Sequence, residues 1–273
     1  MSLKESVMVV NLSISQWTAR KYDAKVSREV EDQHNAKNAG RFNKMLIAAE
    51  DLKIISKVAG SIRTYHYFNT LPWGDNGDRI LPAANYFNYI GEMGKMKNDF
   101  ERLVSEFLRQ YPDLKLDAEL RLGTMFNEAD YPPVDKVAQK FGVTFSFMPV
   151  PDSDDLRIAI SEDEVARIKA DISGQLLNRV DNACADMLGR IREAVSHMAA
   201  TLAEPDKIFR DSLVGNVCQL IETIPLLNFN NDAHINDVVK MIEPLCCNPE
   251  DLRTKTDLRK EIAEKAQKVL AHI

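Results

Sequence analysis

The sequence predicts an α+β fold, predominantly helical, with a small antiparallel sheet, a long helix near 162–203 and a C-terminal helical bundle. Three observations carry that reading. From Val165 to Leu202 the apolar positions recur at steps of three or four residues, the period of one helix face, and no proline intervenes before Pro205. Short stretches elsewhere alternate apolar with polar residues, the period of a strand with one buried face. Hydrophobic residues make up 45% and charged residues 28%, a balance that buries a core and excludes long disorder.

The first strand is expected near 7–16, where Val10, Leu12 and Ile14 alternate with Asn11, Ser13 and Ser15. From Ala24 to about Ala59 the pattern turns helical, interrupted near Asn38-Ala39-Gly40. Its second half places Phe42, Met45, Leu46, Ala49, Leu52, Ile55 and Ala59 on one face. Residues 65–89 are read as a loop, because Pro72 and Pro82 bracket a Gly/Asp/Asn cluster. Seven of the chain's aromatics fall there, Tyr65, Tyr67, Phe68, Trp73, Tyr86, Phe87 and Tyr89. A solvated loop does not need so much ring surface, so the segment is either packed into the core or presented for recognition.

Helices are expected at about 83–110 and 114–128, then a short one near 134–140 after Tyr131-Pro132-Pro133. Alternation returns at Val143, Phe145 and Phe147 and again at Leu156, Ile158 and Ile160, with Pro and Asp between them. This pattern predicts a hairpin with strands near 143–149 and 156–160. Ser161-Glu162-Asp163-Glu164 reads as a capping box opening the long helix. That helix would extend about 63 Å at about 1.5 Å per residue. Shorter helices follow near 206–224, 232–247 and 257–271. A boundary near residue 160 would then separate an α+β region, 1–160, from a helical one, 161–273, unless the two form one continuous domain.

The chemistry is sparser than the architecture. Gly74-Asp75-Asn76-Gly77-Asp78-Arg79 lacks the Gly-Lys-Ser/Thr ending of a phosphate loop, and its two aspartates would repel a phosphate. The histidines are scattered and Cys246-Cys247 are adjacent, so no metal-ligand spacing and no cofactor motif is found. Asp152-Ser153-Asp154-Asp155 lacks the glycine and closing glutamate of a calcium loop. Neither Gly-x-Ser-x-Gly nor a protease-type cysteine signature is present. Glu128 and Asp130 are two carboxylates without a lysine partner nearby in sequence, a weak basis for a nuclease. The expected protein is therefore not an enzyme. Four cysteines in a chain of this length do not make a disulfide framework, which fits a reducing cytoplasm. No apolar run approaches the roughly 18 residues of a membrane span, and MSLKESVMVV does not read as a secretory signal.

Charge is the informative quantity. The net charge is -6, yet Trp17 to Arg63 holds ten basic and six acidic residues, so that stretch is +4 and the remainder -10. It leads directly into the aromatic segment. Cations along a backbone track beside stacking rings suit single-stranded nucleic acid. Arg20, Lys21, Arg41, Lys44, Arg63 and Arg79 are the candidate phosphate contacts, and Trp17, Tyr65, Tyr67 and Trp73 the candidate stacking faces. A competing reading fills the core with the rings and coats a helix with the cations. A second function class is a protein-interaction or self-assembly module, in which the long helix and the aromatic loop hold a partner protein or a second copy.

At Asn11-Leu12-Ser13-Ile14-Ser15-Gln16-Trp17-Thr18-Ala19-Arg20-Lys21, at Thr70 to Pro82 and at Phe209 to Asn216, the chain resembles a family of tailed-bacteriophage and mobile-element proteins with no established activity. The likeness runs over nearly the whole length. It implies a protein made in the cytoplasm of an infected bacterium, alongside replication, recombination or counter-defence functions, and it assigns no catalytic residue.

Overall fold

The computed structural model describes residues 3–74, 77–151 and 161–273. In chain order the elements are α1 (Leu3–Ser6), β1 (Val7–Ser15), β2 (Arg20–Tyr22), α2 (Ala24–Gln33), β3 (Asn43–Met45), α3 (Ala49–Phe68), β4 (Leu71–Pro72), β5 (Arg79–Pro82), α4 (Tyr86–Leu122), α5 (Val134–Ala138), β6 (Gly142–Met148), α6 (Glu162–Ala203), α7 (Ser212–Leu227), α8 (Ala233–Ile242), α9 (Pro249–Thr254) and α10 (Thr256–His272). The fold is α+β and predominantly helical. Four strands form one sheet in the order β4-β5-β1-β6, and β2 pairs with β3 in a separate ribbon. β5 lies antiparallel to both neighbours, with Val9 opposite Ile80 and Leu71 opposite Ile80. The strand expected at 156–160 lies outside the described residues.

The chain divides into two compact units. One comprises Met1–Asn11, Tyr67–Ile90 and Ser146–Ile273; the other comprises Leu12–His66 and Gly91–Phe145. Both are assembled from separated stretches, so a single boundary near residue 160 does not describe them.

In the first unit the second half of α6 supplies the core. Met187, Ile191, Val195 and Met198 have no exposed surface and belong to one apolar cluster with Val217 and Ile224 of α7, Ala266 of α10 and Ile80 of the sheet. Burying each large side chain contributes about 1.5–3 kcal/mol, which explains why one unbroken helix prevails over this span. Ser161 occupies the N-cap position but makes no side-chain cap hydrogen bond, so the expected capping box is not formed. The other end is closed from a distance. Arg259, 6% exposed, donates to the carbonyls of Thr201, Leu202, Glu204 and Lys207. The carbonyls of a final helical turn have no partner within their own helix, and Pro205 prevents α6 from continuing to supply one.

The same device closes α3. Arg190 donates to the carbonyls of Tyr67, Phe68 and Thr70 at 2.7–3.0 Å. Cys218 of α7 and Cys246, which follows α8, form a disulfide with Cα atoms 5.1 Å apart. The expectation of unpaired thiols therefore fails here. The sequence separation of 28 residues hides a pairing made only when α7 packs beside the end of α8.

In the second unit α3 buries Leu52, Ile55, Ala59 and Ile62 at helical spacing. α4 runs without a break through Pro112, where two helices were expected. Proline forfeits one backbone hydrogen bond, but Pro112 itself is exposed and its neighbours are anchored. Phe107 and Tyr111 pack against each other, and Tyr111 donates to the Pro132 carbonyl at 3.0 Å.

Candidate nucleic-acid interface

The ribbon formed by β2 and β3 grows from its flanking residues. Ala19, at φ 50°, sits in the left-handed region, and its carbonyl accepts from the Leu46 amide at 2.7 Å, which closes the ribbon's base. Asp23 caps α2 by accepting from the Lys25 and Val26 amides. Its own amide donates to the Phe42 carbonyl, and the Phe42 amide donates to the Ser27 hydroxyl. Asn35 and Asn38 adopt positive φ, which asparagine tolerates better than most residues, and they carry the chain from α2 back to β3. The expected interruption near Asn38 is thus the return of a hairpin-like excursion.

Registry then sorts the side chains. Lys21 lies opposite Lys44, Arg20 opposite Met45 and Tyr22 opposite Asn43. Directly opposed residues of an antiparallel pair share a face. Arg20, Tyr22, Asn43 and Met45 therefore share one face, and all four are exposed. Arg41 places its guanidinium carbon 5.7 Å from the Tyr22 ring centroid on that face. Among the described residues Arg20, Lys21 and Arg41 form no ion pair. Arg20, Arg41 and one exposed phenol ring thus gather on one face of the short ribbon, while Lys21, opposite Lys44, belongs to the other face.

Lys44 is a correction. Its side chain is 5% exposed and its ammonium sits 2.7 Å from Asp130 and 3.6 Å from Asp23. It also donates to the Met125 carbonyl at 2.7 Å. With its charge matched by two carboxylates, Lys44 is not a phosphate contact. The Val26 amide, with Lys44 as a further cause, holds Asp23 below the usual carboxylate range.

Beside the ribbon lies a groove of about 410 Å³. Trp17, Met45, Ile47, Ala49 and Leu52 give it apolar walls, Gln16, Thr18 and Ser56 give it polar groups, and Arg20 stands on its lining. Trp17 is half-buried, and its ring meets Tyr111 and Phe107 edge-on at centroid distances of 5.7 and 6.4 Å. Burial, and to a lesser degree Tyr131, pushes the Tyr111 phenol up to about 12, so it remains a neutral packing partner at physiological pH. The Arg121 guanidinium donates to the Met45 and Leu46 carbonyls and fixes the end of β3 that lines the groove.

The structure therefore brings Trp17, Arg20 and Arg41 together; Lys21 is exposed on the other face of the ribbon, opposite Lys44, and the other candidates do not join that face. Arg63 is exposed on α3, eleven residues beyond Leu52, which is about 16 Å along the helix. Tyr65 is half-buried on the same helix, with its phenol pushed up by burial and by Glu92. Tyr67, Trp73 and Arg79 belong to the first unit. Trp73 is 6% exposed in that unit's apolar cluster, so it offers no stacking face. Arg79 is spent on structure, donating to the Thr70 hydroxyl and to the carbonyls of Thr70 and Tyr67. It lies over the 53%-exposed Tyr67 ring at 4.9 Å.

The segment 65–89 is not one loop. It holds the end of α3, the hairpin of β4 and β5, a 3-10 turn at Ala83–Asn85 and the start of α4. Tyr89 is fully buried while Phe87 is 83% exposed, so its rings face different environments. Tyr22 and Met45 were missed as site residues. The signal available was their adjacency to Arg20-Lys21 and to Lys44, but only the strand register places them on one face. Among the described residues no three His, Cys, Asp or Glu side chains cluster as metal ligands. Among them, too, no helix is long and apolar enough to cross a membrane. No protein family, curated protein or solved structure matches the chain.

Proposed function

We propose that this protein binds single-stranded nucleic acid, without catalysing a reaction, through the outward face of the β2–β3 ribbon and the adjoining Trp17 groove. The observation that carries the reading is the company of Arg20 and Arg41. Two exposed cations without ion-pair partners among the described residues adjoin Tyr22 and a groove walled by Trp17. Cations hold the backbone while ring faces accept bases of any sequence. The proposal extends to a place in replication, recombination or counter-defence, which is what the resemblance of the sequence to phage proteins implies.

Two phosphate contacts predict a log–log salt slope of about -1.4, since each contributes about 0.7 for a single strand. Binding of a labelled oligonucleotide, followed by fluorescence anisotropy, should therefore weaken about sevenfold between roughly 50 and 200 mM salt. Replacing Arg20 or Arg41 by Gln should lower the slope by about 0.7 each. Absence of binding at low salt would refute the reading.

A second reading, docking of a host or phage protein or of another copy, is favoured by α6. Its buried residues begin at Ala183, and Leu177 is 67% exposed. A monomeric mass in solution would remove self-assembly from consideration.

A further inference from the structure

The groove beside the ribbon has a chemistry of its own, and it sharpens the nucleic-acid reading on which it rests. Trp17, Ile47 and Leu52 make apolar walls, while Gln16, Thr18 and Ser56 add an amide and two hydroxyls to the lining. An apolar ligand would cover those three polar groups without pairing them, at a cost in desolvation. A small inorganic anion would meet Arg20 but leave the tryptophan and aliphatic walls in water. A planar heteroaromatic ring with donors and acceptors on its edge satisfies both sets. The volume of about 410 Å³ lies within the range that accepts a small organic group.

Two further observations select the occupant. Trp17 is held edge-on by Phe107 and Tyr111, so its ring is fixed before any ligand arrives and loses little freedom on stacking. Arg20 belongs to the groove lining and also to the exposed ribbon face that carries Tyr22, with Arg41 over the Tyr22 ring. A group bound in the groove therefore has a cation at its side, and Arg41 continues the same face of the ribbon. That is the order of parts in a nucleotide within a strand: base, then phosphate, then the next phosphate.

We infer that the groove receives one unpaired nucleobase, stacked on Trp17 with its polar edge toward Gln16, Thr18 and Ser56, while Arg20 holds an adjacent phosphate. Ribbon contacts then serve phosphates in either direction from that base. Because stacking on a ring tolerates any base, the pocket sets the register of the strand and leaves its sequence largely unread.

The test compares two probes on the intact protein: a single-stranded oligonucleotide of about 12 nucleotides and an abasic strand of equal length. Trp17 fluorescence reports occupancy, since Trp73 is 6% exposed in the interior. The base-bearing probe should quench that emission and bind about tenfold or more tighter than the abasic one. Ser56 is exposed, so Ser56→Phe can fill the groove without disturbing the core, and it should erase the difference between probes. Equal, salt-sensitive binding of both probes would overturn the base pocket and leave the phosphate-binding reading standing. Failure of both probes to bind at low salt would overturn the two together. Persistence of the difference in Ser56→Phe, with the fold intact by circular dichroism, would place the base elsewhere and also overturn the inference.

Discussion

Lys44 carries a charge into a place where little water reaches it, and its neighbours make that burial tolerable. Asp130, Asp23 and the Met125 carbonyl satisfy the ammonium. Removing the lysine would strand the Asp130 carboxylate, whose side chain is only 13% exposed, and breaking one partner of a buried pair costs about 3–5 kcal/mol. Lys44→Met is therefore expected to lower stability by roughly that amount in urea unfolding. Adding Asp130→Asn should restore part of the loss, since the stranded charge goes with it. Asp23 adds a pH dependence of known sign. Its folded pKa lies below the usual carboxylate value, the Val26 amide first and Lys44 next among the groups that lower it. The contribution is thus fully present above about pH 4 and disappears as pH falls through the folded value. Asp23→Asn keeps a capping side chain but cannot titrate, so its stability should fall less steeply below about pH 4 than that of the parent.

At the scale of elements, α4 and the disulfide make separate predictions. Pro112 is exposed inside a continuous helix, where proline costs about 3 kcal/mol relative to alanine. Pro112→Ala should raise the thermal midpoint, with a gain of up to about 3 kcal/mol; an unchanged or lowered midpoint would mean that the proline ring is needed where it stands. The Cys218–Cys246 bond closes a separation of 28 residues, for which chain entropy gives about 3.6 kcal/mol. Reductant should therefore lower the urea midpoint of the parent and leave that of a Cys218→Ala/Cys246→Ala variant unmoved. Elements also show which parts of the fold can be read from residue order. α6 is legible because Val165 to Leu202 repeats one spacing throughout, and β1 and β6 because each carries an alternating stretch. The β2–β3 ribbon is not legible. Arg20-Lys21-Tyr22 and Asn43-Lys44-Met45 contain no alternating apolar face, and their pairing rests on Ala19, Asp23 and Ser27 hydrogen bonds made across the excursion. The candidate site shared that fate. Composition brought Trp17, Arg20, Lys21 and Arg41 into view, whereas the burial of Lys44 and Trp73 depends on partners distant in sequence, Asp130 and the α6 cluster.

For the whole molecule, charge separates the two units. The unit that holds the ribbon has eighteen basic and sixteen acidic residues, a net +2, and the other is -8 by difference from the total of -6. The ribbon therefore lies in the unit whose net charge favours a polyanion. A duplex is stiff and carries one charge per about 1.7 Å, so a short ribbon can meet few of its phosphates. A single strand bends within a few nucleotides and can keep its phosphates on Arg20 and Arg41 while one base leaves the stack. Discrimination should consequently favour a single strand over a duplex of equal length by about tenfold or more at low salt. Double charge reversal, Arg20→Glu with Arg41→Glu, should abolish binding of the single strand. Both residues are exposed and form no ion pair among the described residues, so stability should stay within about 0.5 kcal/mol of the parent. Competition between single-stranded and duplex probes measures the first quantity and urea unfolding the second. Equal affinity for duplex would relocate the binding surface away from this ribbon, because two cations on so small a face cannot hold a rigid polyanion as tightly as a flexible one.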